Sequence, residues 1–229
     1  MAFSTHSASD GDRWRIYDAF LISLLWISIC WILFLSDDIL EWHLKKSGLH
    51  PREIQGLLGV FTMAFLHSTW EHLTQNTLAI LVLNSILFYF YRGIALRIWI
   101  ISLLLSHALL WLVGRDGNHI GASALLYAEF GFLIVSGFIR NNPKLMRASL
   151  VVVLYYGSLV WYVFPIDQHI SWEGHASGFI IGTLLALVYR KKGPQRKIYQ
   201  YELEPELPDD ENAYWKIRDD PTDRNTINP

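Results

Sequence analysis

The chain has almost no cysteine and little charge. Its only cysteine among 229 residues is Cys30, so neither an intramolecular disulfide nor a thiolate metal cluster can form within it. We expect Cys30 to be a small apolar packing residue. Charged residues make up 17% of the sequence, below the roughly 25% that is usual in soluble domains. This composition excludes a disulfide-stabilised scaffold and argues against an ordinary soluble domain.

Apolar residues, by contrast, make up 52% of the chain. They form six runs of about 17–20 residues, the length that crosses a hydrocarbon core of roughly 30 Å. The predicted spans are 18–36, 73–91, 95–113, 121–139, 147–165 and 173–189. Asp37 and Asp38 follow the first span without a small-residue cleavage site, which argues against a signal peptide. The sequence therefore predicts an all-α membrane protein with six transmembrane helices.

Basic residues are concentrated on one side of the predicted bundle. The side that carries both ends of the chain has Arg13, Arg15, Arg92, Arg97, Arg140, Lys144, Arg147, Arg190, Lys191, Lys192, Arg196 and Lys197. The opposite side has Lys45, Lys46, Arg52 and Arg115. Because cytoplasmic loops are enriched in Lys and Arg, both termini are predicted to be cytoplasmic. Residues 1–17 are then a cytoplasmic N-terminal segment, and residues 18–192 form the membrane domain.

Residues 193–229 differ in composition from the membrane domain. Nine acidic residues, three basic residues and four prolines fall between positions 201 and 229. Such a segment cannot bury enough apolar surface to fold alone. We expect an acidic, disordered cytoplasmic tail. Nothing in the charge pattern indicates binding to nucleic acid.

The first loop, residues 37–66, is the longest connection between spans. Its first part alternates apolar with polar or charged residues, a pattern that suits a short element at the membrane surface. Residues 54–66 are apolar, but Gly56 and Gly59 interrupt them, so they are too short for a seventh span. We expect an interfacial or re-entrant segment and therefore a first loop that is partly embedded in the membrane.

Several polar residues lie in or beside the predicted spans, and five of them fall at matching positions. These five are His67, His72 and Asn76 around the start of the second span, Ser123 at the start of the fourth and His175 at the start of the sixth. The even-numbered spans run in one direction, so all five residues are expected near the same membrane face. A lone serine in a membrane helix usually only packs against, or hydrogen-bonds to, a neighbouring helix. Several strongly polar residues at one depth indicate a functional site.

Small residues predict which helices meet at this site. They favour close approach of another helix backbone, and in the fourth span they are Gly121, Ala122, Ala124 and Ala128. In the sixth span, Gly178 and Gly182 lie on the same face as His175. Packing of these two helices would bring His175 to Ser123, with Tyr127 one turn below the serine. Nucleophilic catalysis needs such a serine–base contact, roughly 2.6–3.2 Å between heavy atoms.

A metal site is the sharpest alternative chemistry. His67, His72 and His175 are residues of a type that binds zinc. His67 and His72, however, do not share a helical face, and the sequence has no H-E-x-x-H motif. Haem ligation is less favoured still, because only His107 lies well inside another span. We expect no metal and no cofactor. A transporter is disfavoured as well, since no inverted repeat is detectable.

Three short motifs lie on the even-numbered spans. They are HSTWEHLTQN at residues 67–76, GASALLY at 121–127 and HASGFIIG at 175–182. Together they resemble the rhomboid intramembrane serine proteases. The resemblance covers residues 49–189, and the segment LHPREIQGLLGVFTMAFLH at 49–67 is similar to the first loop of one bacterial branch of that family.

The resemblance implies a six-helix rhomboid-like bundle and a role for each polar residue. Ser123 would be the nucleophile and His175 its base, without an aspartate. His72, Asn76 and the backbone N–H of Ser123 would form the oxyanion hole. In a water-poor pocket, each such donor contributes about 3–4 kcal/mol. The supporting residues would be His67, Gly121, Tyr127 and Gly178.

The sequence departs from the family pattern in three places. The residue after the nucleophile is commonly glycine, and here it is Ala124. The first loop lacks the Trp-Arg pair that many members have. Glu129 lies about two turns below Ser123, and we expect it to have a structural role.

The function that the resemblance implies is intramembrane serine endopeptidase. It would cut transmembrane segments of single-pass membrane proteins near the outer face of a bacterial-type inner membrane. Its partners would be these substrates and the lipid bilayer; the sequence does not indicate an oligomeric state. The alternative is a catalytically weak or inactive rhomboid-like protein that binds membrane clients for quality control. Such proteins typically lack the serine or the histidine, and this chain has both.

Overall fold

Helix is the dominant secondary structure of this chain. The computed structural model describes residues 10–165, 170–196 and 198. These residues contain no β-strand apart from an isolated antiparallel bridge between Leu49 and His119, so the all-α prediction is confirmed. Residues 1–9 of the predicted N-terminal segment and residues 199–229 of the predicted acidic tail lie outside the described residues.

Six long helices follow the six apolar runs. They are α1 (Asp10–Leu40), α2 (Trp70–Phe90), α3 (Ala95–Val113), α4 (Ser123–Ile139), α5 (Pro143–Val163) and α6 (Trp172–Val188). Because α1 begins at Asp10, the predicted N-terminal segment is partly helical. Four of the helices, α1, α2, α3 and α5, are long and apolar enough to cross a membrane by length and composition.

The remaining two helices, α4 and α6, have 17 residues each. A helix of this length is about 25 Å long, less than the roughly 30 Å of a hydrocarbon core. Their C-terminal ends are followed by Arg140 and Arg190, basic residues that favour the membrane surface. Their N-terminal ends, which carry Ser123 and His175, are therefore expected below the opposite surface.

Local sequence sets the first residues of α2 and α5. Thr69 is the N-cap of α2, and its Oγ1 accepts a hydrogen bond from the His72 N–H at 3.1 Å. Asn142 is the N-cap of α5, where its Oδ1 accepts from the Lys144 N–H at 3.0 Å and Pro143 follows directly. Both caps satisfy backbone donors that would otherwise have no intrahelical partner.

Helices α4 and α6 pack in parallel along a stripe of small residues. A Cβ on Gly178 would collide with the carbonyl oxygen of Ala124, and a Cβ on Gly182 with that of Ala128. The contacts advance in the same direction along both helices, so their N-terminal ends lie together. The packing that the glycine spacing predicts is therefore present, and larger side chains would force the helices apart.

Ring contacts establish the direction of α2. Phe34 near the end of α1 contacts Trp70 at the start of α2, with 4.9 Å between ring centroids, so α1 and α2 are antiparallel. Tyr91, directly after α2, contacts Phe132 in the second half of α4 at 5.0 Å. As predicted, α2 and α4 run the same way, and the site-bearing ends of α2, α4 and α6 share one end of the bundle.

The first loop forms short helical turns. Leu44–Ser47 is a single 3₁₀ turn, and Gln55–Phe65 is a run of helical turns. The second segment passes through Gly56 and Gly59 without breaking, although the sequence suggested interruptions there. Close packing explains both glycines, since a Cβ on Gly59 would collide with the Leu49 backbone and one on Gly56 with the His50 backbone.

The same segment packs on the helices while part of it stays exposed. His107 of α3 donates from Nδ1 to the Val60 carbonyl at 2.8 Å, which uses the buried histidine of α3 as a structural anchor. The outward apolar side chains are Ile54, Leu57, Leu58 and Phe61. An exposed apolar face on a packed loop is typical of an element at the membrane interface.

Candidate active site

Gly121 is the position around which two of the predicted site residues meet. Its φ of +118° suits glycine, and a Cβ there would lie 2.6 Å from His72 Nε2 and 3.5 Å from Asn76 Nδ2. The Gly121 N–H donates to the Met63 carbonyl at 2.9 Å, which fixes this backbone against the first loop. His72 and Asn76 of α2 therefore point at the residues directly before Ser123.

Ser123 is the first residue of α4, and its side chain is half-buried. Backbone N–H groups in the first turn of a helix have no intrahelical acceptor. The hydroxyl of Ser123 and its own N–H thus lie at a helix end where an anionic oxygen would be stabilised.

His175 is held by two groups of the bundle. Its ring stacks on Tyr127 with 4.1 Å between centroids and 7° between planes. Its Nδ1 lies 3.0 Å from the Tyr162 carbonyl oxygen. Since a carbonyl only accepts, Nδ1 carries the hydrogen, and the lone pair of the neutral ring is then on Nε2. The Tyr127 hydroxyl donates to the Leu159 carbonyl at 2.9 Å, so the end of α5 holds both rings.

Leu159 and Tyr162 also contribute to the site, although they were not among the predicted site residues. Both act through backbone carbonyls at the 3₁₀ end of α5. Every residue has a carbonyl, so no residue type marks these positions in a sequence. Their role depends on how α5 packs against α4 and α6.

The serine and the histidine lie on adjacent helix ends. A Cβ on Gly174, next to His175, would be 3.8 Å from the Cβ of Ala124, next to Ser123. Within the described residues, however, no hydrogen bond joins the Ser123 hydroxyl to the His175 ring. Catalytic hydrogen bonds are often long without substrate and shorten in the complex.

His72 is oriented from its other nitrogen. The Ser68 hydroxyl lies 3.1 Å from His72 Nδ1, and a hydroxyl that donates there leaves the proton on Nε2, which faces Gly121. The His67 ring contacts His72 edge-on at 5.2 Å. Burial, reinforced by His72, lowers the pKa of His67 to about 3, so His67 is a neutral packing partner. Ser68 lies in the first motif but was not among the predicted site residues.

Asn76 provides an unused donor. The residue is buried, and its Nδ2 has no hydrogen-bond partner within the described part of the chain. Buried polar side chains in proteins are nearly always paired, so an unpaired one calls for an explanation such as a ligand. Asn76 Nδ2 faces the same backbone as His72 Nε2, which makes it available to a substrate oxygen.

Two departures from the family pattern have clear surroundings in the structure. Ala124 is fully buried in an apolar cluster with Leu49, Val60 and Leu110, so its methyl group is accommodated beside the site. Glu129 is also fully buried, and neither carboxyl oxygen has a partner among the described residues.

No group of three metal-binding side chains forms in the described ranges. What the site brings together is a hydroxyl at a helix N-terminus, an imidazole with a free Nε2, and amide and imidazole N–H donors. Such a set can activate a nucleophile and stabilise an oxyanion. The fold thus defines a helical membrane protein, and the candidate site residues lie at one end of its helix bundle.

Comparison with known proteins gives the family. The rhomboid domain matches residues 55–192. An uncharacterised protein of Mycobacterium tuberculosis is 31% identical over 186 residues, which cover 76% of this chain and 75% of that protein. An uncharacterised protein of Mycobacterium leprae is 27% identical over 197 residues, or 81% of this chain and 75% of the relative. The chain belongs to the rhomboid family, whose members are generally intramembrane serine proteases.

Proposed function

We propose that this protein is an intramembrane serine endopeptidase with Ser123 as nucleophile and His175 as general base and acid. The observation that carries the proposal is the convergence of His72 and Asn76 on Gly121, beside the helix end that holds His175. A purely structural cluster would not need an unpaired, buried Asn76 amide.

The arrangement supports a complete acyl-transfer cycle. His175 Nε2 takes the hydroxyl proton while Ser123 Oγ attacks the scissile carbonyl carbon. The oxygen that becomes negative accepts hydrogen bonds from Asn76 Nδ2, His72 Nε2 and the Ser123 N–H. His175 then passes the proton to the leaving amine. A water molecule, deprotonated by the same histidine, hydrolyses the acyl-enzyme.

The orientation of His175 needs no carboxylate. In a triad, an aspartate holds the histidine tautomer and stabilises the imidazolium ion. Here the Tyr162 carbonyl holds the tautomer at 3.0 Å, and stacking on Tyr127 holds the plane of the ring. A neutral acceptor stabilises the imidazolium less than a carboxylate does. We therefore expect slower turnover than that of a serine protease with a full triad.

The substrates we propose are single-pass membrane proteins in a bacterial inner membrane. Cytoplasmic termini, inferred from the basic residues, imply that the N-terminal ends of α2, α4 and α6 lie near the outer face. A helical substrate has to unwind before its peptide bond reaches Ser123, so helix-weakening residues near the cut should speed cleavage. We also propose that the substrate enters laterally, near α2 and α5. The residue before the scissile bond is expected to be small.

The decisive experiment is reconstitution in lipid vesicles with a model transmembrane substrate. Wild type should cut the substrate at a defined site, and Ser123→Ala should not. Ser102→Ala removes a different buried serine, one without a hydrogen-bond partner in the described residues, and should cut like wild type. If wild type leaves the substrate intact and a fluorophosphonate probe does not label Ser123, a client-binding role replaces the protease.

A further inference from the structure

The connection between α3 and α4, residues 114–122, contacts the start of α6 as well as the first loop. The Asn118 side chain donates to the Lys45 carbonyl at 2.6 Å. The backbone of His119 pairs with that of Leu49 through two hydrogen bonds of 2.9 Å. The connection then continues into Gly121 and Ser123. It is therefore fixed to the first loop immediately before the proposed nucleophile.

Arg115 links this connection to the helix that carries His175. Its Nε lies 2.5 Å from Glu173 Oε1, and its Nη2 donates to the Ile170 carbonyl at 2.8 Å. The Glu173 side chain is 4% exposed and lies in the first turn of α6, two residues before His175. A buried carboxylate requires a charged partner, and the N-terminal turn of a helix also favours its negative charge.

His119 makes a second link to the same helix end. Its Nδ1 lies 2.7 Å from the Ser171 hydroxyl, and its Nε2 lies 2.9 Å from the Arg115 carbonyl. The carbonyl of Ser171 in turn accepts the His175 N–H at 3.2 Å. The hydrogen bonds therefore run from the connection to the backbone of the proposed base.

We infer that Arg115 and Glu173 are positioning residues that set the His175 ring against the Ser123 hydroxyl. Neither touches the reacting atoms. They fix the start of α6 relative to the connection that leads into α4, and so determine the distance over which the proton moves. The inference rests on the proposed protease function, because it concerns the geometry of that reaction. Small displacements of reacting groups cost much rate, on the order of 100-fold for about 1 Å.

A neighbouring ion pair provides a matched control. Arg52 pairs with Asp116, the residue after Arg115, and Asp116 is 92% exposed. Asp116 belongs to the same connection, but in the described part of the chain neither member of the pair has a hydrogen bond or ion pair with α6. Asp116→Ala removes an ion pair of the same type at the same depth of the bundle. Exposed ion pairs of this kind contribute little to the stability of a protein.

The test measures cleavage of a transmembrane substrate in vesicles, with kcat and KM separated, alongside thermal unfolding and the labelling rate of Ser123 by a fluorophosphonate probe. We expect Arg115→Ala to lower kcat roughly 10- to 100-fold and Glu173→Gln roughly 10-fold, with KM within about 2-fold. Arg115→Lys, which can still pair with Glu173, should recover a large part of the loss. Asp116→Ala should retain wild-type kcat.

The possible outcomes distinguish a positioning role from an effect on protein stability alone. If Arg115→Ala reduces kcat only in proportion to the unfolded fraction, or no more than Asp116→Ala does, the inference is wrong. A raised KM at unchanged kcat would also overturn it. Should Arg115→Ala fail to fold, Glu173→Gln, which keeps the side-chain shape, decides the question by the same criteria. A wild-type protein that neither cleaves nor reacts with the probe would refute the protease function itself, and this inference with it.

Discussion

The polar groups near the two ends of α4 and α6 differ in whether they have hydrogen-bond partners. At the N-terminal end, here called the site end, the Asn76 amide and both nitrogens of His67 are buried without partners among the described residues. At the C-terminal end, here called the arginine end, the guanidinium of Arg140 has a partner on each of its nitrogens. Unpaired polar groups of α2 and of the segment before it thus lie beside one end of α4 and α6, and a fully paired guanidinium lies at the other end.

Arg140 shows what the satisfied end achieves. Its Nε donates to Ser136 Oγ at 2.7 Å, and its Nη2 donates to the Tyr189 carbonyl at 2.7 Å. Its Nη1 donates to the carbonyls of Lys192 and Pro194 at 2.7 and 2.9 Å. The last carbonyls of a helix have no intrahelical donor, so Arg140 supplies donors at the end of α6. Arg140 therefore stabilises this end of the bundle, because each nitrogen of its guanidinium has an acceptor.

The two ends differ in the free-energy cost of buried polar groups that have no partner. An unpaired buried donor costs about 1–3 kcal/mol. Arg140 at the arginine end does not carry that cost, whereas Asn76 carries it at the site end, where the proposed oxyanion would bind. Mutations at the two ends should therefore separate activity from stability.

The largest effect is expected from Gly121→Ala. The added methyl would meet the His72 ring at 2.5–2.6 Å, and φ is +118°. Displacement of His72 beside Ser123 should lower kcat by roughly 1,000-fold. Gly117→Ala is the matched control, because φ is +148° there but nothing lies within 4 Å of the added Cβ. It should cost about 1–3 kcal/mol of stability and retain wild-type turnover. Equal turnover of the two variants would remove Gly121 from the site.

Asn76→Ala should cause the second-largest loss of kcat. Loss of one oxyanion donor is expected to lower kcat roughly 10- to 1,000-fold, while the free energy of unfolding stays the same or rises, because an unpaired buried amide is removed. Gln75→Ala changes the adjacent residue, which is exposed and bonds to Glu71, and should have no effect. Cleavage kinetics and thermal unfolding of both variants test the expectation. Wild-type kcat in Asn76→Ala would contradict the assigned role.

Arg140→Ala should show the opposite pattern at the arginine end. The carbonyls of Tyr189, Lys192 and Pro194, directly after α6, would lose a donor, and the free energy of unfolding should fall by about 2–4 kcal/mol. The kcat of the folded fraction should stay near wild type. Arg92→Ala removes an exposed arginine paired with Asp18 at 2.8 Å and should cost less than about 1 kcal/mol. Chemical or thermal unfolding measures both, and equal stability would mean that the arginine end contributes little.

The smallest effect is expected from Tyr156→Phe. The Tyr156 hydroxyl donates to the Leu78 carbonyl at 3.3 Å, which links α5 to α2 at an exposed position. Its loss should ease separation of the two helices and raise cleavage of a transmembrane substrate by less than about 3-fold. Tyr155→Phe alters an exposed neighbour and should leave the rate unchanged. Slower cleavage by Tyr156→Phe alone would argue against entry between these helices.

The sequence was sufficient for the helices and for part of the site. Apolar runs identified all six, and the spacing of Gly178 and Gly182 identified the partner of α4. Gly56 and Gly59 misled as interruptions, because glycine marks a helix break and a close backbone contact equally well. The site residues that were not predicted, Ser68 within the first motif and Leu159 and Tyr162 through their carbonyls, carry no distinctive pattern. Their roles arise from contacts between helices that are distant in sequence.

The sequence alone determined the class of protein, since run length and composition decide whether a segment prefers lipid to water. It also determined which residues could carry chemistry, because imidazole and amide groups are rare inside such runs. Only the tertiary structure decided the tautomer of His175, the direction of His72 and the pairing of Arg115 with Glu173. These depend on distances of a few ångströms between separate helices, and packing sets those distances.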